Sequence, residues 1–184
     1  RLLSYSTVAQ LSYVVMAEDI LTPLAEIGAA IHIVAHDFGK ITLFFAAGAI
    51  YTDAKKTEVW QLRGIGRRMP FTMTAFTIGA ISMIGVPPTD GIVSKWYILA
   101  GAFQAVNYVA IMTIIASTAL NAAYFLPFIY MAWFERESEP PVKPLGEAPW
   151  PAVLALSLTA LLTLAFFFFN GPVLELERQV VAGM

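Results

Sequence analysis

Four basic side chains stand where charge is costly. His32, His36 and Lys40 recur at intervals of four residues, which places them on one face of a helix. Titratable groups spaced about 6 Å apart along one face can hand protons to one another through intervening water, and histidine titrates near neutral pH. Lys95 follows the run Pro87-Pro88-Thr89-Asp90-Gly91. Proline cannot donate a backbone hydrogen bond and glycine tolerates unusual dihedrals, so a helix should open there. Broken helices at membrane depth mark ion sites in transporters. The proton-translocation candidates are therefore Lys40, Lys95, His32 and His36, with Pro87, Pro88 and Gly91 as the break. Asp90 either caps the second half-helix or serves as counter-ion to a lysine. Asp37 and Glu26 are auxiliary candidates for extending a hydrated path.

Blander roles exist for the same residues. Each lysine could be a structural ammonium held by carbonyls and a carboxylate, and each histidine a satisfied core residue. His32-x-x-x-His36 also has a spacing seen in metal sites. It lacks the glutamate of His-Glu-x-x-His, however, and the chain has no cysteine, so no metal is expected. Gly64-Ile-Gly66 is not a phosphate loop, since no strand precedes it. No nucleophile triad or nucleotide fingerprint is present, so no cofactor is expected on this chain.

The elements that must position these groups are membrane helices. Of the 184 residues, 58% are apolar and 13% charged, against about 45–50% and 25% in soluble domains. Such a composition excludes disorder, and a net charge of −2 speaks against a nucleic-acid partner. A span needs about 20 apolar residues. The expected segments are Leu2 to Met16, Leu24 to Tyr51, Phe71 to Phe103, Tyr108 to Phe134 and Pro151 to Phe169. The first is short and carries Ser4, Ser6, Thr7, Gln10 and Ser12, so it should face neighbouring helices. The third is too long for one straight helix and holds the Pro87-Pro88 break. Pro127 should kink the fourth. Lys40 lies 11 residues before Tyr51, about 16 Å along the axis, beyond the roughly 6 Å reach of a snorkelling stem.

Placing Arg1 and the loops Thr52–Pro70 and Glu135–Trp150 on the cytoplasmic side gathers eight basic residues there, against Arg178 alone opposite. The positive-inside rule favours that orientation, which requires the third segment to cross once. Three parts follow: residues 1–134 as a four-helix portion of an ion-translocating core, 135–150 as an exposed cytoplasmic linker, and 151–184 as a terminal span with an amphipathic tail. The chain opens on Arg1 and enters an apolar segment at once, which reads as the continuation of a longer polypeptide.

Three blocks carry a resemblance: Arg1-Leu-Leu-Ser-Tyr-Ser-Thr-Val-Ala-Gln-Leu-Ser-Tyr13, His32-x-x-x-His36-x-x-x-Lys40-Ile-Thr-Leu-Phe-Phe-Ala-Ala-Gly48, and Gly85-Val-Pro-Pro-Thr-Asp-Gly-Ile-Val-Ser-Lys95-Trp. Together they resemble the antiporter-like subunits of Mrp-type cation/proton antiporters, respiratory complex I and membrane-bound hydrogenases, nearest to the D-type Mrp antiporter component. The resemblance implies an all-α integral membrane fold, the last five helices of a roughly fourteen-helix subunit, with the third broken at Pro87-Pro88. It implies that Lys40 and Lys95 carry protons along a mid-membrane axis linked by the histidines. It also implies partners: other membrane subunits, an N-terminal part of the same subunit, H⁺, and Na⁺ in exchange. A bacterial or archaeal cytoplasmic membrane is the expected location. The alternatives are a proton-pumping arm of an NADH-quinone oxidoreductase or hydrogenase, or a structural membrane subunit without transport. In none of them does this chain perform redox chemistry itself.

Overall fold

The structure is a computed structural model and describes residues 2–55, 58–136, 146–172, 174, 175 and 179. The regular elements among them are helical: α1 (Leu2–Asp19), α2 (Pro23–Ala54), a 3₁₀ turn (Val59–Leu62), α3 (Ile65–Arg68), α4 (Pro70–Ile84), α5 (Asp90–Gln104), α6 (Tyr108–Phe134) and α7 (Trp150–Phe168). Three of these, α2, α6 and α7, are long and apolar enough to cross a membrane. Arg1, Lys56, Lys143, Arg178, most of the 135–150 linker and most of the terminal tail lie outside the described residues.

Helix α2 is the axis on which the others pack. Thr22 opens it, its hydroxyl accepting from the Ala25 amide, and Pro23 occupies the first turn, where its missing N–H costs nothing. Small residues on α2 admit its neighbours closely, as in membrane helix pairs generally. A Cβ on Gly28 would lie 2.6 Å from the Ile98 amide nitrogen of α5, and one on Gly79 of α4 would lie 3.1 Å from the Gly39 carbonyl. Helix α5 therefore follows the N-terminal half of α2, and α4 its C-terminal half. Between them Gly85 closes α4 at φ +88 by donating to the Ile81 carbonyl, a backbone conformation suited to glycine. The Thr89 hydroxyl donates to the Val86 carbonyl, and Asp90 starts α5.

Two apolar clusters flank this axis. Leu43, Met73, Phe76, Phe125 and Leu156 belong to one, and Tyr13, Ala29, Ile98 and Ile111 to the other. Helix α6 runs through Pro127 as one continuous element. Helix α1 buries Ser6, Gln10, Tyr13 and Ala17. Ser4 and Ser12, expected against neighbouring helices, fall instead on the exposed face of the described chain with Tyr5 and Val8. A helix only 18 residues long presents one stripe to α2, and its remaining polar residues rotate away from it.

The end of the expected linker also departs from the exposed reading. Gly146 and Ala148 are buried, and the Glu147 carboxylate accepts from the Phe71 amide and the Thr72 hydroxyl, both at 2.8 Å. A carboxylate over the open amides of a helix N-terminus is favourable, which draws the linker down onto α4. Beside it Arg68 pairs with Asp53 at 3.1 Å, both largely buried. Glu147→Ala is expected to cost about 0.5–2 kcal/mol, the range for a lost helix cap. Thermal unfolding of the purified assembly checks this: a midpoint equal to wild type would show that the clasp contributes nothing.

Candidate functional site

All four basic residues singled out by spacing are buried, and Lys95 lies where α4 gives way to α5. His32, His36 and Lys40 share the inner face of α2 at 2%, 4% and 5% exposure, and Lys95 enters from α5 at 6%. The two histidine rings stack with centroids 6.3 Å apart. Tyr13 of α1 meets the His32 ring edge-on at 5.4 Å, and the Lys95 ammonium lies 5.4 Å from the centre of the Tyr13 ring, within the reach of a cation–π attraction.

Lys95 ties α5 to the end of α4. Its Nζ donates to the Met83 carbonyl at 2.8 Å and to the Ile84 carbonyl at 2.9 Å, the last residues of α4. These carbonyls have no partner further along their own helix and carry the negative end of its dipole, so a cation is well placed there. Gln10 reinforces the spot, its Nε2 donating to the Met83 carbonyl at 3.3 Å. Lys40 is held differently, by a single donation to the Leu3 carbonyl of α1 at 3.2 Å. Among the described residues neither lysine pairs with a carboxylate.

Asp90 is engaged elsewhere. Its Oδ1 accepts from the Ser82 hydroxyl at 2.7 Å, joining the last turn of α4 to the first of α5. Gly91 lies so near Ser82 that an added Cβ would overlap the Ser82 carbonyl oxygen. Asp37 points outward with its side chain 64% exposed, its carboxylate 3.6 Å from His36 Nδ1. Glu26 sits half-buried in the first turn of α2, favourable at a helix N-terminus and away from the cluster. An open cleft of about 370 Å³ between α5 and α6 reaches Lys95, with Trp96, Leu99 and Thr118 among its walls.

The sequence placed Gln10 against neighbouring helices, where it is buried, but gave no site role to it or to Tyr13, Ser82 or Ser94. A signal for α1 was available: Ser6, Gln10 and Tyr13 recur at helical spacing, and all are buried. Ser94 is fully buried, and its hydroxyl lies 2.9 Å from His32 Nδ1 and 3.2 Å from the Gly91 carbonyl. The resulting arrangement is a polar strip through the middle of an apolar bundle. It holds ammonium and imidazole groups side by side, with no carboxylate on either lysine among the described residues.

Residues 1–121 match the family described as NADH:quinone oxidoreductase/Mrp antiporter, TM. The chain is 38% identical to NADH-quinone oxidoreductase subunit N of Desulforudis audaxviator, over 82% of this chain and 30% of the relative. It is 33% identical to a Na⁺/H⁺ antiporter component, the D-type one, of Alkalihalophilus pseudofirmus, over 98% of this chain and 36% of the relative. It thus spans about a third of the length of the curated relatives it matches. Among solved structures, a chain of the Mrp complex from Dietzia sp. shares the fold at a TM-score of 0.88 and 19% identity, covering 98% of this chain and 41% of that one. A chain of an archaeal membrane-bound sulfane sulfur reductase superposes at 0.76 with 26% identity, covering 85% and 26% respectively. Apolar helices, a buried cationic strip and these matches agree: the chain is an integral membrane protein and belongs to the NADH:quinone oxidoreductase/Mrp antiporter transmembrane family.

Proposed function

We propose that this chain moves protons across the membrane, as part of a multisubunit Mrp-type cation/proton antiporter, along Lys40, His36, His32 and Lys95. The observation that carries this reading is the burial of all four groups, three on the inner face of α2 and Lys95 on α5, with no carboxylate on either lysine among the described residues. An intramembrane charge costs about 2.5–3.5 kcal/mol on insertion scales and persists chiefly where it serves a pathway. The cycle alternates which lysine is protonated, the histidines bridging them. Helices α4 and α5 act as one span broken at 85–89, so that the chain crosses five times, with Thr52–Pro70 and Glu135–Trp150 on the cytoplasmic side of a bacterial or archaeal membrane. Residues 1–134 then supply the translocating core, 135–150 the linker, and 151–184 the terminal span. Asp37 and Glu26 extend the path, and other membrane subunits, H⁺ and Na⁺ are the partners.

Lys40→Ala tests the pathway in native complex reconstituted into vesicles with a pH-sensitive dye. Proton movement is expected to fall by about tenfold or more while the complex assembles normally. Transport at the wild-type rate would remove Lys40 from the route.

The greater identity to an NADH-quinone oxidoreductase subunit, 38% against 33%, favours a second reading, a proton-pumping arm driven by electron transfer in other subunits. Flavin absorbance and iron–sulfur EPR of the purified native complex separate the two. Both signals present would make the chain part of a redox-driven pump; an intact complex without them would leave cation exchange.

A further inference from the structure

The Ser94 hydroxyl has one proton and two partners, a carbonyl that only accepts and an imidazole nitrogen that accepts or donates according to its tautomer. His32 Nδ1 lies 2.9 Å away and the Gly91 carbonyl 3.2 Å away. The side chain is fully buried, so no solvent competes. The partners belong to different elements: His32 to α2, 62 residues distant, and Gly91 to the first turn of α5, where it presses on Ser82 of α4. His32 Nε2 is buried and has no hydrogen-bond partner among the described residues. The titratable groups facing His32 are Tyr13 from α1, His36 from its own helix and Lys95 from α5.

We propose that Ser94 is a positioning residue whose hydroxyl rotates between His32 and Gly91, so that each proton arriving on His32 rearranges the hydrogen bonding at the helix break. In the Nε2–H tautomer of the neutral ring, bare Nδ1 accepts from Ser94. When Nδ1 takes up a proton, the ring becomes a donor and Ser94 must accept. Its own proton then swings to the Gly91 carbonyl. The added proton stays on the ring until His32 releases it. A serine that bonds back to a carbonyl three residues earlier alters the helical turn containing it. That turn is the one whose Gly91 contacts α4, beside the carbonyls held by Lys95. The proton step and the break geometry are thereby linked. This deepens the proton-translocation reading and rests on it.

The test uses the full native complex with three replacements, Ser94→Ala, Ser94→Cys and Ser94→Thr. Proton transport is followed against pH, and the ring nitrogens of labelled His32 are followed by ¹⁵N NMR with a His32→Gln sample for assignment. Losing the hydroxyl should displace the midpoint of the pH profile by about half a unit to one unit, the equivalent of one buried hydrogen bond, and change the His32 Nδ1 signal. Threonine, which keeps the hydroxyl, should restore both. Cysteine, of nearly serine's volume but a weaker donor, should behave as alanine does and stands in for it if the alanine variant does not assemble. A hydroxyl-free variant whose pH profile and Nδ1 signal overlay wild type would overturn the proposal, as would a threonine variant displaced as far as alanine. Failure of the broader reading looks different. A wild-type complex that moves no protons, with Nδ1 still responding at position 94, would refute translocation and leave the hydroxyl link standing.

Discussion

Replacing Lys95 with alanine should reduce proton movement by about a hundredfold or more, the scale of effect for a positioned proton-transfer group, while assembly survives. The assembled complex survives because the carbonyls that lose their donor are few. The Met83 carbonyl keeps Gln10 Nε2 at 3.3 Å, and the Ile84 carbonyl loses Lys95. One buried acceptor left without a donor costs about 1–3 kcal/mol, tolerable for a large membrane assembly. Lys95→Arg separates the two roles of this side chain. An arginine keeps a cation on the end of α4 but does not release its proton under any accessible condition. The expected result is near-native thermal stability with transport as low as in the alanine variant. Vigorous transport by a well-assembled arginine variant would show that Lys95 holds the break closed and carries nothing.

Gly91→Ala should produce the largest loss of stability of any single methyl added in the helices. The new Cβ would overlap the Ser82 carbonyl oxygen, and backbone cannot turn aside as a flexible side chain can. Helices α4 and α5 would have to separate, stretching the Ser82–Asp90 bond and drawing Lys95 from the Met83 and Ile84 carbonyls. Overpacking of a tight contact costs about 1–3 kcal/mol, occasionally more. The unfolding midpoint and proton transport should fall together. Gly48→Ala is the internal comparison, since a Cβ there meets nothing within 4 Å and alanine is the better helix former by about 0.5–1 kcal/mol. Equal midpoints for the two variants would show that α4 and α5 are not held together at Gly91.

These two experiments bear on one physical idea. If α4 and α5 form one broken span, as proposed, their terminal carbonyls lie at membrane depth, where they are tolerated only if protein or water satisfies them. Lys95 satisfies them while it carries a proton, so removing that proton weakens the hold at the same moment. Ser94 adds a second link between proton and backbone in the same region of α5. Lys40, with one bond to the Leu3 carbonyl, is less tied to backbone geometry.

Much of this was legible in the amino-acid sequence, for local reasons. Helical periodicity alone places His32, His36 and Lys40 on one face, and the α2 inner face buries all three. Pro87 and Pro88 cannot donate backbone hydrogen bonds wherever they occur, and α4 ends at Ile84 and α5 begins at Asp90 around them. Composition alone requires apolar helices. Tertiary structure decided which groups meet. Asp90 could cap or pair with a lysine on sequence grounds; packing of α4 on α5 brings Ser82 to it. The donors for the Met83 and Ile84 carbonyls come from α1 and α5, and Ser94 meets His32 across 62 residues of chain. Glu147 reaches the start of α4 across 75 residues, where the sequence suggested an exposed linker. Periodicity and backbone breaks depend on neighbours within one or two turns and can be read along the chain. Hydrogen-bond partners of buried polar groups depend on how helices rotate and approach, and small residues such as Gly28, Gly79 and Gly91 set that approach only once the helices are packed together.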